Sequence, residues 1–281
     1  MTTPTYPSRV AVLGQGAMGR ALARTLQAAR TWNRSPTGVD PADTVRNADV
    51  VLICVRDHEA SRPLIAQIAP ALTLGTPVIN MSSGTSDDAV TSATAAADLG
   101  VSYVTGAIMV PTALIGTDQN LILYAGRPET INSAHPVLAA LGGTVDVLGE
   151  DHAVPPALDM AMLDVFFAGM YAFLHSAALA RSRGIEPSAY LPYAQGIIST
   201  LAAELPSLAH TYETHTYNRG EANLGMCLQF QNHILRTTNQ AGVDPRLPQL
   251  LRDITAEQVA RSGPTPDWDE TAESLTTPTS N

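Results

Sequence analysis

Lysine is absent from this chain. All 16 basic residues among its 281 are arginines, so no side-chain amine can serve as a base, an acid or a Schiff-base former. Cysteine is scarce as well. Cys54 and Cys227 lie far apart in apolar stretches and read as two reduced, buried thiols of a cytoplasmic protein. Basic charge is outnumbered, 16 residues against 26 acids for a net charge of −10, which argues against nucleic acid and anionic membrane as partners. No run approaches the ~20 consecutive apolar residues of a membrane span. The opening "MTTPTYPSRV" is polar and broken by prolines, without the basic and apolar regions of a signal peptide. No Cys/His cluster has metal-ligand spacing, so no metal is expected.

What is present falls into two textures. "RVAVLG" (9–14), "ADVVLICV" (48–55) and "TPVINMSS" (76–83) are short apolar runs of the kind that form buried parallel strands. "VSYVTGAIM", "NLILYAG" and "GTVDVLG" complete the strands. Between them lie helical stretches. "AMGRALARTLQAA" carries Met18, Leu22 and Leu26 at fourfold spacing, and "TSDDAVTSATAAADLG" has a capping hydroxyl, acids in its first turn and a closing glycine. The alternation predicts a Rossmann-type doubly wound parallel sheet over residues 1–152. The link from Pro36 to Asn47 is too brief for a full strand and helix, so this half is trimmed near its second strand.

An all-helical domain over 153–281 is expected next, begun by a long interdomain helix at 156–182. That stretch, "ALDMAMLDVFFAGMYAFLHSAALARSR", is apolar nearly all round and must be buried by its own domain and by another chain. "LPYAQGIISTLAAEL", "NLGMCLQFQNHILRTTNQAG" and "LPQLLRDITAEQVARSG" are further helices. The tail from Pro264 onward, rich in proline, threonine and acid, reads as disordered.

Gly14-x-Gly16-x-x-Gly19 follows a strand and opens a helix. In that setting the first glycine makes the turn, the second admits a pyrophosphate, and the third packs helix on strand. Gln15, Ala17 and Met18 belong to the same loop. The end of the second strand normally carries an acid for the ribose 2′-hydroxyl of NAD. Here "TWNRSP" offers Asn33, Arg34 and Ser35 instead, donors and a guanidinium fork suited to a 2′-phosphate. NADPH is therefore the expected cofactor. Val55 and Arg56, with Ser82, Ser83 and Gly84 at the sheet's carboxyl edge, complete the expected cofactor contacts.

"VAVLGQGAMGRALA", "WNRSP", "NMSSGTSDDA", "GAIMVPTALIGT", "LILYAG", "LDMAMLDVFFAGMYAFLHSAAL" and "AGVDPRLPQLL" resemble, in order, the motifs of the imine reductases and reductive aminases. The resemblance covers nearly the whole chain. It implies NADPH-dependent hydride transfer to an imine or iminium carbon, with reductive amination of a carbonyl and amine pair as an extension. It also implies a homodimer with intertwined helical domains, each active site lying between one nucleotide domain and the partner's helices. The wider kin, the β-hydroxyacid dehydrogenases, use a lysine that this chain lacks. Such an oxidoreductase is the second reading, and a non-catalytic NADPH-binding protein the third.

The resemblance places a family aspartate at Asp159 and a family proton donor at Phe167, where the donor is lost. On a helix, Asp159, Leu163, Phe166 and Met170 share one face with Phe167 at its flank, giving one carboxylate in an apolar row. Asp159 is read as an electrostatic anchor for an iminium. Met109 and Val110 are expected to line the pocket, and Tyr212, Tyr217, Met226, Gln229 and Phe230 to reach it from the partner chain. His175 reads as structural.

Overall fold

The computed structural model describes residues 9–34, 38–217, 220 and 222–276. Ser35, expected to bind the cofactor, lies outside them, as does the end of the tail.

Seven strands form one sheet in the order β2-β1-β3-β4-β5-β6-β7. They are β1 (Val10–Leu13), β2 (Arg30–Trp32), β3 (Val50–Ile53), β4 (Pro77–Asn80), β5 (Ser102–Ile108), β6 (Leu121–Gly126) and β7 (Thr144–Val147). β2 is three residues long and the helix after it, α2 (Pro41–Val45), only five, the trimming that the sequence implied. Helices α1 (Ala17–Thr25), α3 (His58–Ile68), α4 (Ser86–Asp98) and α5 (Pro128–Ala140) complete this part. Strand side chains alternate between two apolar layers. Val10 and Val12 pack with Leu22 of α1 and Leu138 of α5, whereas Ala11 and Leu13 pack with Leu64 and Ile68 of α3 and Ala96 of α4. Burial on both faces explains why these strands read as continuous apolar runs.

The sheet departs from the all-parallel expectation at one place: β6 runs antiparallel to β5. The link between them holds only a short 3-10 turn at Thr112–Leu114. A parallel return usually runs through a crossover helix, which this link lacks, so the chain doubles back. α5, which the sequence reading passed over, supplies the crossover that makes β6 and β7 parallel.

The chain divides into two compact units, Met1–Val165 and Phe166–Asn281. The division falls inside α6 (Val154–Arg181), a 28-residue helix of about 42 Å at 1.5 Å per residue. α7 (Pro187–Thr214), α8 (Leu224–Ala241), α9 (Arg246–Ser262) and α10 (Thr271–Thr276) follow. α7 runs well beyond the stretch read from sequence, keeping Pro192 and Pro206 inside it. Among the described residues α6 is long and apolar enough to cross a membrane, by length and composition. The expectation of no such segment counted uninterrupted apolar runs, and Asp159 and Asp164 interrupt this one.

Disorder from Pro264 onward is corrected for residues 264–276. The Leu224 and Gly225 amides donate to the carbonyls of Pro266 and Pro264. The buried Asp267 carboxylate accepts from the Gly220 amide, and a 3-10 turn at Trp268–Glu270 leads into α10. The segment is held by backbone pairing, which a composition rich in proline and acid does not advertise.

Candidate functional site

β2 lies on one side of β1 and β3 on the other, so the chain reverses its winding between β1 and β3, where ligands of open α/β sheets bind. The glycine loop sits at that point. A Cβ on Gly14, whose φ is +106°, would lie 2.1 Å from the Cys54 carbonyl oxygen, and one on Gly19 would lie 2.0 Å from the Gly14 carbonyl oxygen. A Cβ on Gly16 would meet nothing within 4 Å. The outer two glycines thus pack backbone on backbone, and the middle one faces open space where a pyrophosphate can approach. Gly16 is also the N-cap of α1, and no side chain caps it, which leaves the helix's first amides for an anion.

A cleft of 450 Å³ opens there, lined by Gly14, Gln15, Gly16, Ala17 and Met18 on one side and by Val55 and Arg56 on the other. Asn33 and Arg34 close its far end with Trp32. Of the expected cofactor set, Gly14 to Met18, Asn33, Arg34, Val55 and Arg56 thus line one cleft, whereas Ser82, Ser83 and Gly84 do not. Among the described residues no carboxylate pairs with Arg34, whereas the Arg56 guanidinium is held by Asp57 at 2.5 Å. Trp32 was missed. It sits in the stretch that drew attention to its neighbours, and its indole N–H donates to the Val39 carbonyl at 2.8 Å, which fixes the ring against the cleft.

Met18, Cys54 and Val55 are shared with a second, smaller crevice of 210 Å³. Ser82, Ser83 and Gly84 line it, with His58, Thr105 and the end of β5 from Gly106 to Ile108, and Asp159 closes it from α6. Ser82 is buried, and its hydroxyl accepts from the Val55 amide at 3.3 Å while its own amide donates to the Asn80 side chain. It ties the ends of β3 and β4 together. Ser83 is exposed on the same turn. Beneath it lies a polar cluster that the sequence did not reveal. Asn80 donates to Ser61 and to the Tyr103 hydroxyl, and His58 pairs with Ser92 at 3.0 Å.

Asp159 is 7 % exposed. Among the described residues no hydrogen bond or ion pair holds its carboxyl, and burial pushes its pKa above the usual carboxylate range. A buried carboxylate without a partner is costly to keep charged. That cost is recovered when a cation arrives.

Met109 and Val110 lie past the crevice wall. The Met109 amide donates to the Leu121 carbonyl, and Val110 packs on the sheet's core. Leu163 is half-buried on α6 one turn beyond Asp159. In the second unit, Phe166 and Phe167 meet edge to face at 5.9 Å. They are exposed, as are Met170, Tyr212, Met226 and Phe230, and Gln229. Tyr217 is engaged within its own unit, its hydroxyl donating to Glu273. His175 pairs with the Asp244 carbonyl at 3.1 Å, which suits the structural role read for it. Among the described residues no group of His, Cys, Asp and Glu could hold a metal ion.

A glycine loop at the switch point of an open α/β sheet defines a dinucleotide-binding protein. Residues 9–149 match the family described as the NAD binding domain of 6-phosphogluconate dehydrogenase. Residues 151–277 match the NADPH-dependent reductive aminase-like C-terminal domain. A curated NADPH-dependent reductive aminase from Aspergillus oryzae is 25% identical over 270 residues, covering 89% of this chain and 91% of that protein. The solved reductive aminase from Aspergillus terreus, in complex with NADPH and ethyl levulinate, is 25% identical with a TM-score of 0.86, covering 96% of this chain and all of that one. An imine reductase from Streptomyces aurantiacus superposes with a TM-score of 0.89 at 21% identity, again over 96% of this chain and all of the other. The chain belongs to the imine reductase and reductive aminase family, as its motifs implied.

Proposed function

We propose that this protein reduces C=N bonds with NADPH, taking an imine directly or one formed from a carbonyl and an amine. The observation that carries the reading is Asp159, a carboxylate without a partner among the described residues, in the crevice that continues from the glycine-loop cleft. The cofactor, when bound, supplies the hydride. The loop from Gly14 to Met18 and the first amides of α1 would hold its pyrophosphate, Asn33 and Arg34 its 2′-phosphate, and Ser82 to Gly84 the ribose next to the nicotinamide.

Asp159 then acts on charge. An iminium entering the crevice finds a negative group largely shielded from water, and is stabilised before reduction. Because burial raises the pKa of this carboxyl, the anchor is charged only above that raised value. Activity therefore falls on the acid side at a higher pH than an ordinary carboxylate would give. The missing lysine removes the group that the β-hydroxyacid dehydrogenases use and favours C=N over C–OH chemistry.

A second copy of the chain is the natural cover for the helical faces. Val165 is 71%, Leu174 61% and Tyr193 76% exposed, a density of open apolar side chains that marks an interface. The reading is thus a homodimer in the reducing cytoplasm, and it makes Phe167, Tyr212, Met226 and Phe230 candidate pocket walls of the assembled site.

Consumption of NADPH with 1-pyrroline or a dihydroisoquinoline tests the proposal. Turnover supports it. Reduction of NADP by a hydroxyacid, or cofactor binding without turnover of any imine, would overturn it.

A further inference from the structure

Reduction of a neutral imine requires a proton on nitrogen as well as hydride on carbon. Phe167 has none to give, and the charged Asp159 accepts protons. The crevice contains another candidate. Thr105, 1% exposed, stands on β5 in register with Asn80 and lines the crevice together with Asp159. Its hydroxyl lies 2.9 Å from Nδ1 of His152.

His152 is placed by its surroundings. Its ring tilts against Tyr103 with centroids 5.6 Å apart. The segment that carries it is pinned from two sides: the Ser86 hydroxyl donates to the Ala153 carbonyl at 2.9 Å, and the Asp151 carboxylate accepts from the Ala153 amide at 2.9 Å. The imidazole's other nitrogen, Nε2, has no hydrogen-bond partner among the described residues. His152 also lines a separate cleft of 470 Å³, together with Arg127, Glu150 and Asp151. Thr105 lines the crevice and His152 the second cleft, so the pair links the two openings, and the Thr105 hydroxyl also bonds the Tyr103 side chain.

We propose that Thr105 is the proton donor to the substrate nitrogen and that His152 supplies the proton Thr105 gives; this rests on the C=N reading above. The imine lone pair takes the Thr105 hydroxyl proton, forming N–H as O–H breaks. The imidazolium of His152 passes its Nδ1 proton to the same oxygen and is left neutral, with its remaining proton on Nε2. The iminium is then ready for hydride addition, the C=N π pair settling on nitrogen as the amine's lone pair. After the amine leaves, water refilling the crevice returns a proton through Thr105 to Nδ1.

The charged and titratable groups facing His152 are Glu150 and Asp151 of its own segment, Arg127 at the start of α5 and Tyr103 of β5. Burial favours the neutral ring, and the two acids oppose it. A requirement for imidazolium makes imine turnover fall as pH rises through the His152 pKa.

The test compares two substrates on the acid side of neutrality, where the imidazolium is populated: a weakly basic cyclic imine, neutral at that pH, which needs the proton, and its N-methyl iminium, which does not. Thr105→Val and His152→Asn should each lower kcat/KM for the imine by roughly tenfold or more, the lower reach of general acid catalysis, and leave the iminium rate and NADPH binding unchanged. Thr105→Ser should retain imine turnover. Equal losses on both substrates would mean that the pair is merely structural, and no loss on either would mean that it is idle; both results overturn the proposal. A parent protein that binds NADPH and reduces neither substrate would instead sink the C=N reading, and this proposal with it.

Discussion

Arg34 and Asp159 carry the two charges on which the account turns. A charge-assisted hydrogen bond contributes about 1.5–3 kcal/mol, so Arg34→Ala should weaken NADPH binding roughly 10–100-fold and leave NADH binding nearly unchanged. Direct titration with both cofactors checks it. Asp159→Asn should lower kcat/KM by about 10²-fold, the scale for one preorganised electrostatic contact. It should also abolish the acid-side fall, because the carboxyl whose pKa burial has raised is gone. A pH–rate profile of the variant that kept that fall would assign it to another group. Asp159 and Arg34 were legible in the sequence because each sits beside a motif that fixes its place. Thr105 and His152 were not. They are 47 positions apart, and only the pairing of β4 with β5, followed by the entry into α6, brings them together. Trp32 was overlooked for a different reason: its role depends on a cleft wall, and a lone aromatic at a strand end is usually core.

At the scale of elements, β1 and α1 meet backbone on backbone at Gly14 and Gly19. Gly19→Ala would drive a methyl group into the Gly14 carbonyl. It should cost about 1–3 kcal/mol by overpacking, seen as a lower thermal midpoint together with weaker cofactor binding. Gly16→Ala meets open space, so it should spare the midpoint and weaken cofactor binding alone. If the two variants behaved alike in both measurements, the division of roles among the glycines would be wrong. Strand β1, helix α4 and the opening of α6 could be read from apolar period and capping residues. The reversal of β6 could not, since strand direction is set by what the preceding link can span, and "NLILYAG" reads the same either way. Nor could α10, whose fold comes from the Pro264, Pro266 and Asp267 contacts with the chain around Gly220 to Gly225, all remote in sequence.

The whole molecule presents more apolar surface on its second unit than a solitary chain is expected to leave in water. Leu174, Tyr193 and Ile197 are each more than half exposed. Light scattering should therefore return the mass of a dimer, and the double substitution Val165→Asp with Leu174→Asp should drive it toward monomer. An unmodified protein that stays monomeric at micromolar concentration would remove the partner chain from the site. The central claim, that a reduced nicotinamide held in the glycine-loop cleft reduces a carbon–nitrogen double bond beside Asp159, is tested most directly by one comparison: the initial rate of cofactor oxidation with a dihydroisoquinoline, measured with NADPH and with NADH. The account predicts steady turnover with NADPH and a far lower rate with NADH. Equal rates with the two cofactors would contradict the role given to Arg34, and no turnover with either would contradict the chemistry itself.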